Sequence, residues 1–215
     1  WTLQEKLFTF IIASLNRGAQ TLFEHFPGGF AFSVLVHDCW KCYFKVAAVA
    51  HQICLAHLLR ELNHIIECYQ LKWATAFKQL LLEAIAFKKT LLPQDYPKTL
   101  PQRTEFKQRL TNLLDEPIDK EKHPLAWSLQ NRLAKYRQHL FTFLYYQEVP
   151  PDNNGSERAI RNVKVKQKIS GQFKSFPGAE TFAILRSVID TAIKNNLNPL
   201  HSLSQINAIP LVRGE

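Results

Sequence analysis

Asp38 closes a short apolar run, residues 33–37 (SVLVH), and a second carboxylate, Glu157, is followed by Arg161, Lys164 and Lys168 at i+4, i+7 and i+11. On a single helix those spacings put all four side chains on one face. Paired carboxylates hold divalent cations and a row of cations tracks a phosphate backbone, so these residue types point to metal-assisted chemistry on nucleic acid. Each also has a plainer reading alone: an Asp after a strand caps a helix, and a Glu in a first helical turn complements the helix dipole. A rival constellation is Cys39-x-x-Cys42 followed by Cys54-x-x-His57, the ligand types and paired spacing of a tetrahedral zinc centre. Against it, the first pair follows an apolar strand and the segment between the pairs is apolar, as for buried thiols that simply pack. His57, Glu61 and His64 share a helix face at i, i+4 and i+7, which reads as a polar surface stripe. The sequence has no GxxxxGK, GxGxxG or GxSxG string, which excludes the common nucleotide-dependent and serine-hydrolase classes.

The 215 residues carry 27 Lys and Arg against 18 Asp and Glu, a net charge of +9, with 46% hydrophobic residues. That composition fits a folded globular chain and excludes disorder for most of it. Residues 157–178 hold six basic side chains (Arg158, Arg161, Lys164, Lys166, Lys168, Lys174) and one acid, hence more than half of the net charge. Such a concentration suits a polyanionic partner or a solvated basic helix. The longest apolar run, residues 46–50, falls far short of the roughly 20 residues that span a bilayer, so no membrane segment is expected. Four cysteines in an otherwise ordinary sequence suggest a reducing cytoplasm. The chain contains no methionine and opens on Trp1, so it is read as a piece of something longer.

Residues 6–13 are β-branched and aromatic and predict a strand; residues 19–26 predict a helix stopped by Pro27-Gly28-Gly29. Residues 33–37 predict a second strand, apolar enough to be buried on both faces, with Asp38 at its carboxyl end, where open α/β sheets place their ligands. A short helix or turn near residues 40–46, a strand over 49–55 and a helix over 56–70 follow. Residues 72–146 read as helical throughout, punctuated by prolines at 93, 97, 101, 117 and 124. After Val149-Pro150-Pro151 the side chains of Asp152, Asn153 and Asn154 suit a helix start, with the helix beginning at Gly155 or Ser156. A last helix over about 179–194 exits at Asn195-Asn196. The fold class is α/β, a sheet interrupted by a helical insertion.

At these residues the sequence resembles the catalytic region of bacterial insertion-sequence transposases of the DDE type, most closely the sixty-six family. Four stretches carry the likeness: residues 34–38 (VLVHD) with Tyr43, residues 51–62 (HQICLAHLLREL), residues 152–161 (DNNGSERAIR), and residues 169–195 with Ser170-Gly171, Ser175 and the run 187–194 (SVIDTAIK). The resemblance implies a ribonuclease-H-like fold whose acidic triad holds two divalent ions, Mg²⁺ or Mn²⁺. Asp38 would be the second acid and Glu157 the third, and both are expected to converge at one sheet edge. The parts would be residues 1–69 and 148–215 as the catalytic domain and 70–147 as an all-helical insertion. Arg158, Arg161, Lys164, Lys168 and Lys174 would bind DNA, with Cys54, His57, Arg60, Asn153 and Asn154 in support; that use of Cys54 and His57 weakens the zinc reading.

Two departures from the family pattern stand out. Cys39 replaces a glycine, and residues 1–37 contain no Asp, the first acid belonging to a strand ahead of Trp1. Loss of that strand is expected to leave unpaired backbone, an exposed apolar face, poor solubility and no activity in this chain alone. The activity implied is metal-dependent DNA cleavage and strand transfer on transposon ends and target by a homo-oligomer in the nucleoid-bearing cytoplasm. The alternatives are a non-catalytic DNA-binding or assembly module, or a zinc-binding structural domain.

Overall fold

β-branched and aromatic residues crowd two runs of the chain and small or polar residues end them, and there the computed structural model places its parallel strands. The structure describes residues 1–206, apart from the side chain of Ser170. That side chain and residues 207–215, which the sequence reading includes in the C-terminal part, lie outside the described residues. The described elements are helical for the most part, with two separate two-stranded sheets rather than one interrupted sheet. They divide into two compact units, Gly18–Asn153 and Trp1–Arg17 together with the chain from Asn154 onward.

In the larger unit, α1 (Gln20–His25) leads through Pro27-Gly28-Gly29 to β3 (Phe30–His37), which pairs in parallel with β4 (Ala48–Ile53). Gly29 has φ +64°, and a Cβ there would meet the Ala47 carbonyl oxygen at 2.6 Å, so this turn requires glycine. The expectation that the first of these strands is buried on both faces is wrong. Only His37 is buried along β3, and Phe32 is 99% exposed. The physical reason is that β3 has a single neighbour among the described residues, so its other edge and much of its surface stay open.

β4 ends at Ile53, two residues before the sequence reading placed its end, because Leu55 already opens α2 (Leu55–Tyr69). Gln70, in the left-handed region at φ 50°, ends α2 and turns the chain into α3 (Lys72–Thr90). Then come α4 (Pro101–Asp115) and α5 (Pro124–Lys135), each opened by one of the prolines noted above. Their apolar faces meet around Trp73, Phe77, Leu81, Leu133 and Phe143 in a continuous core that reaches Ile53. Buried polar groups satisfy the loops. Gln52 donates to the Leu140 carbonyl at 3.0 Å and accepts from the Phe143 N–H at 2.8 Å. Arg103 donates to the carbonyls of Asp95, Tyr96 and Lys98, which orders the proline-rich loop, and Lys88 donates to those of Phe143, Tyr146 and Gln147.

In the smaller unit the single strand expected over residues 6–13 is instead a hairpin, β1 (Thr2–Gln4) against β2 (Thr9–Ile11), antiparallel with Thr2 opposite Ile11. Glu5 makes the turn: its carboxylate accepts from the Leu7 N–H at 2.8 Å, and its own N–H reaches the Phe8 carbonyl. α6 (Asn154–Ser170), α7 (Phe176–Lys194) and α8 (Pro199–Ile206) follow. α7 closes the open edge of β2 with side chains: Ser187 accepts from the Ile11 N–H at 2.8 Å, Thr191 exchanges bonds with Thr9, and Lys194 and Asn195 donate to Phe8 and Leu7. The SVIDTAIK run therefore has a structural use, since its hydroxyls take the place of a neighbouring strand. Among the described residues no helix is long and apolar enough to cross a membrane.

Candidate functional site

Asp38 follows the last residue of β3, and its Oδ1 accepts from the Trp40 N–H at 3.1 Å, a side-chain turn that ends the strand and orients the carboxylate. His37, buried beside it, points Nδ1 at the Asp38 carbonyl and Nε2 at His51 Nδ1, 3.0 Å away. With Nδ1–H given to the carbonyl, a neutral His37 accepts through Nε2, so His51 donates. His139 lies edge-on to His51 with ring centroids 5.4 Å apart. Phe44 stacks on both Tyr136 (4.1 Å) and His139, and Tyr43 stacks on His37. Burial lowers the pKa of all three histidines, that of His37 to about 4.

The Cys54 main-chain N–H donates to the His37 carbonyl at 2.7 Å, one step beyond the end of β4. Its side chain is fully buried, and burial pushes the thiol up. Sγ accepts from the Asn153 N–H at 3.4 Å, and the next N–H, that of Leu55, donates to the Pro151 carbonyl at 2.8 Å. The two most distinctive strings of the sequence, CxxH and the Asp152-Asn153-Asn154 run, are thus hydrogen-bonded to each other. His57 is half-buried on α2 and Arg60 is exposed there, its Nε donating to the Ala56 carbonyl. Glu61 pairs with Arg132 of α5, and His64 lies 3.8 Å from Cys68 Sγ, so the polar stripe makes contacts of its own.

Glu157 lies in the first turn of α6, which begins at Asn154, one residue before the expected start. One unbroken helix carries Glu157, Arg161, Lys164 and Lys168, which fall within about 60° of one another around its axis. Arg158, Arg161, Lys164 and Lys168 are all exposed, as is Lys174 in the turn that follows. Asp38 belongs to the larger unit and Glu157 to the smaller.

Cys39 packs against the core and burial holds its thiol up at about 11, which opposes the thiolate that zinc requires. Among the described residues no group of three or more His, Cys, Asp or Glu is arranged to hold a metal ion. The histidine cluster was not legible in the sequence. Its members come from β3, β4 and the segment after α5, and no spacing links them; the one local signal is a histidine directly before Asp38.

A family model described as the IS66 family of transposases matches residues 3–181. The chain belongs to that family, which makes transposition its process and DNA its substrate. No curated protein and no solved structure matches the chain.

Proposed function

We propose that this chain is the catalytic region of a transposase that cleaves DNA and transfers strands with divalent metal, Asp38 and Glu157 being two of the metal-holding acids. The reading takes the fold as ribonuclease-H-like, with residues 1–69 and 148–215 as its catalytic parts and 70–147 as a helical insertion, acting as an oligomer on transposon ends and target in the bacterial cytoplasm. The observation that carries it is α6, an uninterrupted helix with Glu157 in its first turn and Arg161, Lys164 and Lys168 exposed beyond it on the same face.

The donor chemistry fits the ion: carboxylate oxygens are the ligands Mg²⁺ takes, and Asp38 is already oriented by the Trp40 N–H. Bound there, two divalent ions would supply the Lewis acidity for in-line attack on a phosphodiester and for departure of the leaving oxygen. The protein's own part is to hold the two carboxylates and to seat the phosphate backbone on the cations of α6. Arg158, about 100° around the helix from Glu157, and Lys174, beyond its end, extend that basic surface. A non-catalytic DNA-binding role is the second reading, favoured by the exposed cations along α6.

The test is the salt dependence of DNA binding. Replacing Arg161, Lys164 and Lys168 together by Ala is expected to weaken binding to any sequence and to flatten the slope of log K against log salt by about 2 to 3. An unchanged slope in the triple variant contradicts the phosphate track.

A further inference from the structure

Cys54 occupies the N-cap position of α2; the N–H groups of Ala56 and His57 lie near its thiol, but the hydrogen bond with full geometry is the one from the Asn153 N–H at 3.4 Å. Ser, Thr, Asn and Asp favour this position because their oxygens cap the free N–H groups of the helix that follows. Here the cap residue serves a different segment. Its main-chain N–H holds the His37 carbonyl, next to Asp38, and its sulfur accepts from Asn153, the last residue before α6. The adjoining bond from Leu55 to the Pro151 carbonyl makes this a two-point attachment of residues 151–153 to the start of α2. Asn153 is also where the chain leaves the larger unit, since the smaller resumes at Asn154. A thiol suits this position because it is apolar enough for full burial and accepts at a longer distance than a hydroxyl.

We propose that Cys54 is a positioning residue for the transposase reaction: its thiol fixes the point at which the chain leaves the unit bearing Asp38 and enters the helix bearing Glu157. It touches neither DNA nor metal. The proposal rests on the reading of Asp38 and Glu157 as metal-holding acids, and it assigns a use to the first residue of the CxxH string that zinc binding does not.

Two measurements on the 215-residue chain test it. In the first, amide hydrogen exchange is read in wild type, Cys54→Ala, Cys54→Ser and Asn153→Pro. Loss of the acceptor in Cys54→Ala is expected to speed exchange at Asn153 and in the first turn of α6 by roughly tenfold, with interior amides of α2 changed far less. Cys54→Ser, which retains an acceptor, stays within about threefold of wild type. In the second, Fe²⁺ replaces Mg²⁺ and hydroxyl radicals generated at the metal cut the nearby backbone. Cutting beside Glu157 is expected to fall in both Cys54→Ala and Asn153→Pro, with cutting beside Asp38 retained; Asn153→Pro removes the donor without disturbing the core.

Unchanged exchange at Asn153 in Cys54→Ala overturns the proposal, as does uniform acceleration across α2, which marks a core defect only. Absence of Fe²⁺ cutting at either acid in wild type overturns the metal reading instead, and leaves the exchange result to decide whether the thiol anchors Asn153.

Discussion

Acidification from pH 6.5 to 4 is expected to remove about 3 kcal/mol of stability from the unit that carries Asp38, through His37 alone. Burial holds the folded-state pKa of His37 at about 4, against 6.5 for an exposed imidazole. Between those values the unfolded chain binds a proton that the folded chain refuses, so unfolding becomes easier as pH falls through the window and the loss is complete below about 4. His51 and His139 are shifted in the same direction by burial and add to the loss. The cationic form is poorly accommodated: Tyr43 and Phe44 pack His37 away from water, and a second proton on Nε2 would face the N–H that His51 donates there. Urea unfolding of the metal-free chain at pH 7 and pH 4 measures the difference, and His37→Gln, which does not titrate, is expected to shrink it. Equal stability at the two pH values, or an equal loss in His37→Gln, contradicts this account of the cluster.

The second large effect concerns activity. Two-metal phosphodiester chemistry needs several carboxylates to place both ions. The sequence supplies Asp38 and Glu157 at the matching positions, while Glu5 lies in the β1–β2 turn and Glu24 on α1. The 215-residue chain alone is therefore expected to show no magnesium-dependent nicking of DNA. In a protein with a complete acid set, Asp38→Asn or Glu157→Gln is expected to lower the nicking rate by about 10³-fold or more, the several kcal/mol a metal ion contributes. Arg161, Lys164 and Lys168 variants lose affinity instead, and the loss is largest at low salt and narrows as salt rises. Nicking by the chain alone, abolished by Asp38→Ala, contradicts the account of the missing acid.

The helices were the legible part of this sequence, since their apolar positions recur at three and four residues and prolines mark where α4 and α5 begin. Strand limits were less so. Residues 6–13 look uniformly strand-like, yet β-propensity alone does not register that Glu5 bonds the Leu7 N–H and turns the chain into a hairpin. The apolar character of residues 33–37 suggested burial on both faces, but burial depends on neighbours, and among the described residues β3 pairs with β4 alone. For the site, Asp38 and Glu157 were found from their places at a strand end and a helix start. The contacts around them were hidden because they join distant segments: His37 with His51 and His139, and Cys54 with Asn153, all through tertiary packing that no local spacing encodes.

The most direct measurement of the central claim, that Asp38 and Glu157 hold metal together, is Fe²⁺-dependent cutting of the wild-type chain and of its Asp38→Ala variant. The account predicts cuts beside both Asp38 and Glu157 in wild type, competed by Mg²⁺, and loss of both in Asp38→Ala, because both acids would hold the same metal. Cutting beside Glu157 that persists at the wild-type level in Asp38→Ala, or cutting at neither position, would contradict it.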